Sequence, residues 1–105
     1  MATFEAEGKT YEIAFSMKRI EMYENGRKPV MASFAQNGGA FSIGELKALI
    51  AYGLRLEGGA WVNPKKGMEM AEELIEENGY FGMFEPVTAA LERDCGFFFK
   101  TADAD

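Results

Sequence analysis

Glu69, Glu72, Glu73, Glu76 and Glu77 recur within "GMEMAEELIEENG" at spacings of three, four, seven and eight, which lines them along one face of a helix. Clustered carboxylates can share acid and base roles, hold a hard cation or imitate the phosphates of DNA. Acid–base work needs two carboxylates in unlike surroundings, and a solvated helical face gives all five the same one. Calcium needs the ligand spacing of a loop, and these residues have the spacing of a helix. The chain contains no His, so the commonest general base and metal ligand is missing. Its single Cys95 forms neither an internal disulfide nor a Cys/His cluster and is expected as a small packed residue. The glycine-rich stretches "QNGGA" and "LEGGAWVNPKKG" lack the phosphate-loop pattern and follow no strand of a βαβ unit, so they are expected as turns. No catalytic residue, metal or cofactor is expected, and the glutamates are expected to form a solvated face.

Residues suited to binding another protein stand out more. Trp61, in "GGAWVN" between two expected helices, is either the lid of a small core or an exposed anchor. Seven Met in 105 residues is a high share, and Met side chains suit both irregular cores and adaptable surfaces. Met68 belongs to an apolar stripe, whereas Met70 is expected off the core face beside the glutamates. The chain closes on "CGFFFKTADAD". Successive positions rotate by about 100° in a helix and about 180° in a strand, so Phe97, Phe98 and Phe99 cannot all face one side. At least one is expected to be exposed or covered by something else. The candidate partner-binding residues are therefore Trp61, Met68, Met70, Phe97, Phe98 and Phe99.

The elements that must position them follow from periodicity and caps. "TFEAEGKTYEIAF" alternates apolar and polar residues around a turn at Gly8, a β-hairpin pattern. An isolated hairpin is marginal in water, so its apolar face is expected to lie on helices. Ser16 is placed to cap a short helix through Ile20, ended by Asn25-Gly26. Pro29 is placed to open a second through Val30, Met31 and Phe34, closed by Asn37-Gly38-Gly39. Ser42 and Glu45 have capping-box spacing, and Ile43, Leu46, Leu49, Ile50 and Leu54 continue a helix to about residue 55, with Arg55 in the polar register. Asn63-Pro64 begins a fourth helix, with Met68, Ala71, Leu74 and Ile75 inward and Gly79 as its stop. "GYFGMF" is expected as a bulky connection plugging the core. A last helix is expected from Glu85-Pro86, with Val87, Ala90, Leu91 and Cys95 or Phe98 inward. The expected fold class is α+β: an N-terminal β-hairpin packed on about four to five α-helices. Residues 1–99 are expected as a single domain and 100–105 as a flexible tail.

Composition narrows the partners. The chain is 48% hydrophobic with 13% aromatic residues, outside the range of disordered chains. Residues 1–52 hold six acids and six bases, and residues 53–105 hold eleven acids and five bases, so the net charge of −6 lies in the second half. A pI near 4.7 without a basic run is poorly equipped to neutralise phosphates, so nucleic acid is not expected as a partner. No apolar run approaches the roughly 20 residues that span a bilayer, and no signal peptide opens the chain, so a cytoplasmic location without membrane association is expected.

The order of "FEAEGKTYEIAFSMKRIEMYE", "FSIGELKALIAYGLRLEGG", "NPKKGMEMAEELIEENG" and "FEPVTAALERDCGFFF" resembles the small tail assembly chaperones of long-tailed phages and prophages, especially those of Gram-positive hosts. The resemblance spans residues 3–99 and rests on structural patterns. It implies a non-catalytic protein of the bacterial cytoplasm, absent from the finished virion, that coats the tape measure protein in many copies until tail tube subunits displace it. It also implies a longer form of the chain, made when ribosomes slip back near the end of the frame. Phe-Phe-Phe-Lys at 97–100 can be encoded by an unbroken run of U followed by A, a message on which such slippage works. A structural tail or head–tail completion subunit retained in the virion is the alternative, and an acidic mimic of DNA a third, less suited because the acids cluster on one helix.

Overall fold

The computed structural model describes residues 2–36 and 38–98. Strands β1 (Thr3–Ala6) and β2 (Lys9–Ile13) pair antiparallel, with Ala6 opposite Lys9. The two residues between them, Glu7 at φ 54° and Gly8 at φ 75°, are both left-handed. That is the tight turn whose twist matches a hairpin.

Helix α1 (Met17–Glu24) starts where the Ser16 hydroxyl accepts the Arg19 backbone N–H, and it buries Ile20 and Tyr23. Helix α2 (Val30–Gln36) follows Pro29, while Asn37, expected to help close it, lies outside the described residues. Helix α3 (Ile43–Gly53) opens on the capping box: Ser42 and Glu45 each accept the other's backbone N–H. Leu46, Leu49 and Ile50 are buried, but Ile43 in the first turn is 55% exposed, outside the stripe assigned to it.

α3 ends two residues before the expected limit. Leu54–Leu56 forms β3, pairing antiparallel with β2, so the hairpin becomes a three-stranded sheet in the order β1-β2-β3. Leu54 satisfies helical and strand spacing alike, and the free edge of β2 decides between them. Gly53 permits the change: a Cβ there would stand 2.7 Å from the Phe15 ring, and the Gly53 carbonyl accepts the Ala14 N–H at 2.9 Å. Arg55, expected on a polar helix face, instead meets the buried Glu12 carboxylate at 2.5 Å.

Helix α4 (Pro64–Asp94) joins two helical limbs at Gly79, the expected stop of the first, but the second begins at once rather than after a connection ending near Glu85-Pro86. Asn63 caps it by accepting the Lys65 N–H, and Pro64 occupies the first turn. Gly79 alone is non-helical, at φ 81° and ψ 168°, a region essentially confined to glycine. It divides the helix into limbs 64–78 and 80–94. After Gly79 the rest of "GYFGMF" is helical rather than a connection, though Met83 is buried and Tyr80 and Phe84 pack against the core, and Pro86 lies inside the second limb rather than opening it. Tyr80 and Phe84, four residues apart, stack with centroids 5.6 Å apart and support that first turn.

The core lies where α3 and both limbs meet the sheet. Limb 64–78 buries Gly67, Met70, Ala71 and Leu74, and limb 80–94 buries Met83, Val87, Ala90 and Leu91. Gly67 faces the Ala51 backbone so closely that a Cβ would come within 2.6 Å of the Ala51 carbonyl oxygen. The end of α4 is tied to β2, where Arg93 donates to the Ile13 carbonyl and Asp94 accepts the Phe15 N–H at 3.0 Å. Cys95 is buried as expected, and burial pushes its thiol up to about 11. The class is α+β, with four α-helices and a three-stranded antiparallel sheet among the described residues. A 3₁₀ turn, Gly96–Phe98, follows α4; Phe99 and the expected tail 100–105 lie outside the described residues.

Candidate partner-binding site

The six residues singled out in the sequence fall in different places. Trp61 is half-buried as a lid: its indole N–H donates to the Ala14 carbonyl at 2.9 Å. Arg19 and Arg55 lie over its ring at 5.4 and 5.2 Å from the centroid. The expectation for Met70 is overturned, since it is only 8% exposed and belongs to the core. The close approach at Gly67 centres the buried face of limb 64–78 on positions 67, 70, 71 and 74. That rotates Met70 inward and leaves Met68 half-buried at the edge. Phe97 is 40% exposed and leans on the half-buried Phe98, with centroids 4.9 Å apart. Phe99 lies outside the described residues.

Phe98 forms part of a feature the sequence did not announce. Between α2 and limb 80–94 runs an apolar groove of about 110 Å³, walled by Val30, Met31, Phe34, Phe41, Leu91 and Phe98. That is room for about one apolar side chain. Thr88 and Glu92 line its margin. From the groove a chain of aromatic contacts leads outward: Phe34 to Phe41 at 5.3 Å, Phe41 to Phe84 at 5.9 Å, Phe84 to Tyr80, and Tyr80 to Phe81 at 5.1 Å. The Tyr80 hydroxyl fixes this ridge by donating to the Phe41 carbonyl at 2.7 Å and accepting the Phe41 N–H at 2.9 Å.

At the end of the ridge Phe81 is 72% exposed, and Met31 on the opposite wall is 37% exposed. Phe81, Glu85, Thr88 and Glu92 follow one another at helical spacing, so they share one face of limb 80–94. Neither Glu85 nor Glu92 forms an ion pair among the described residues. Residues 30–41, which include the opposite wall, contain no charged side chain. The site thus offers an apolar floor, two exposed apolar contacts and an acidic margin along one side. Phe81 was missed because "GYFGMF" looked like a connection; helical spacing counted back from Val87 and Leu91 places it outward.

The five glutamates of limb 64–78 are all exposed, and Glu72 meets Lys47 at 3.1 Å. Among the described residues, no three His, Cys, Asp or Glu side chains are grouped to hold a metal ion. No described helix is long and apolar enough to cross a membrane. Compared with family models, with curated proteins and with solved structures, the chain matches none.

Proposed function

We propose that this protein is a phage tail assembly chaperone that binds and shields the tape measure protein without catalysing a reaction. The observation that carries the proposal is the apolar groove continuous with an exposed aromatic ridge on a small, strongly acidic chain. Patches of this kind mark protein contacts. A long helical tape measure chain exposes apolar stripes until the tail tube encloses it. A shield for it must bind apolar surface reversibly and stay dispersed, which flexible Met and aromatic contacts beside a high net charge provide. The family resemblance adds many copies along the tape measure, displacement by the tail tube protein and a longer form sharing the same N-terminus.

Co-expression with tape measure fragments tests this function. Fragments that precipitate alone are expected to stay soluble with the chain and to elute with it, in species larger than a monomer by multi-angle light scattering. Purified particles are expected to lack the chain in mass spectrometry. Its recovery there in stoichiometric amounts would favour a structural tail or head–tail completion subunit.

A further inference from the structure

We propose that the groove between α2 and limb 80–94 receives one amphipathic helix whose apolar stripe is flanked by Lys or Arg, with Phe81 and Met31 on the stripe and Glu85 and Glu92 facing the basic flank. The proposal rests on the chaperone reading only in taking that helix to come from the tape measure protein. Its geometry is independent of that source. The two long walls are helices, so no strand edge is offered to a partner. The groove takes about one apolar side chain, and Phe81 extends the contact along limb 80–94. That arrangement suits a partner presenting apolar residues three and four apart.

Charge selects among helices. Glu92 lines the groove beside limb 80–94 and Glu85 lies on the same face of that limb two turns back, the facing wall carries no charge, and no ion pair among the described residues neutralises either glutamate. A basic flank on the partner completes these two positions, whereas an acidic flank is repelled. A second copy of this chain fits poorly. Each copy carries a net charge of −6, so charge disfavours seating a second copy beside Glu85 and Glu92. Self-association is left to other faces.

Fluorescence anisotropy on the full chain tests the proposal with three dye-labelled synthetic peptides. The first has a leucine stripe flanked by lysines, the second the same stripe flanked by glutamates, and the third the composition of the first in scrambled order. The lysine-flanked helix is expected to bind at least about tenfold more tightly than either of the others. Phe81→Ala and Met31→Glu, both at exposed positions, are each expected to weaken it about tenfold or more with an unchanged circular dichroism melt. Reversing both margin charges, Glu85→Lys with Glu92→Lys, is expected to exchange the preference between the lysine- and glutamate-flanked helices. Equal binding of the scrambled peptide, or indifference to the groove variants, would overturn the proposal and point to the acidic row instead. Self-association that disappears in Met31→Glu would overturn it in favour of a second copy. Tape measure fragments held equally well by the Met31→Glu chain would overturn the groove and leave the chaperone function standing. Fragments that fail to bind, with the lysine-flanked helix still bound at the groove, would support the groove and remove the chaperone function.

Discussion

The two limbs of α4 bury stripes of equal length and show opposite outer faces. Limb 64–78 turns Gly67, Met70, Ala71 and Leu74 to the core and a row of glutamates to water. Limb 80–94 turns Met83, Val87, Ala90 and Leu91 inward, but outward it carries Phe81 and one margin of an apolar groove. Burial therefore explains why each limb is a helix and says nothing of what its other side is for. The first limb's outer face is charged and solvated, whereas the second limb's leaves a large aromatic ring exposed beside an apolar groove. Trp61 sharpens the contrast: its N–H is bonded and two guanidinium groups cover its ring, while Phe81 stays mostly exposed beside the rings of Tyr80 and Phe84.

The largest expected effects test the equality of the buried stripes. Leu74→Ala and Leu91→Ala should each cost about 2–5 kcal/mol in denaturant unfolding, one per limb. A neutral result for either would mean that its limb is not held by the core. Gly67→Ala and Gly79→Ala should each cost about 1–3 kcal/mol, for unlike reasons. At 67 the added Cβ meets the Ala51 backbone and outweighs the helix preference of alanine. At 79 there is open space, and only the backbone conformation resists.

Smaller effects follow from titration. The Ser33 hydroxyl, then the Ser42 backbone N–H, hold the Glu45 carboxyl below its ordinary 4.5. Burial would raise Asp94, but hydrogen bonds from Arg93 and the Phe15 N–H outweigh it and hold that carboxyl below its ordinary 3.8. Both folded values are depressed, so the stability they contribute is complete above the ordinary values and is lost as pH falls through the folded ones. Asp94→Asn should flatten this acid limb in a melting series, and Glu45→Gln should do so separately. Tyr23 behaves in the opposite sense. Burial first, then the nearby Glu45 charge, pushes its hydroxyl up to about 12, so its contribution is present below pH 10 and lost as pH rises through about 12.

The smallest stability effects belong to the outer faces. Glu73→Gln and Phe81→Ala should each change unfolding free energy by no more than about 0.5 kcal/mol. Only Phe81→Ala should weaken the association with tape measure fragments, measured by co-elution. Loss of binding in Glu73→Gln instead would reverse the roles assigned to the two limbs.

Local signals in the sequence carried most of the fold. The Ser42/Glu45 capping box, the Ser16 cap, Asn63-Pro64 and the hairpin alternation each act within a few residues and reappear in the structure. What escaped depends on distant partners. Leu54–Leu56 becomes a strand because β2 offers an edge, and Met70 turns inward because Gly67 lets α3 approach. Of the candidate site, Phe98 and Phe97 were visible as part of a run too apolar for its position. Phe81 and the groove were not, since α2 and limb 80–94 meet only in the folded chain.

The most direct measurement is chemical-shift mapping of the isotope-labelled chain titrated with a helical tape measure fragment. Shifts are expected to concentrate at Met31, Phe34, Phe81, Thr88 and Glu92, with the Trp61 indole N–H and the amides of Glu69 to Glu77 unmoved. Shifts centred on Trp61 or on the glutamate row, with the groove unmoved, would contradict it.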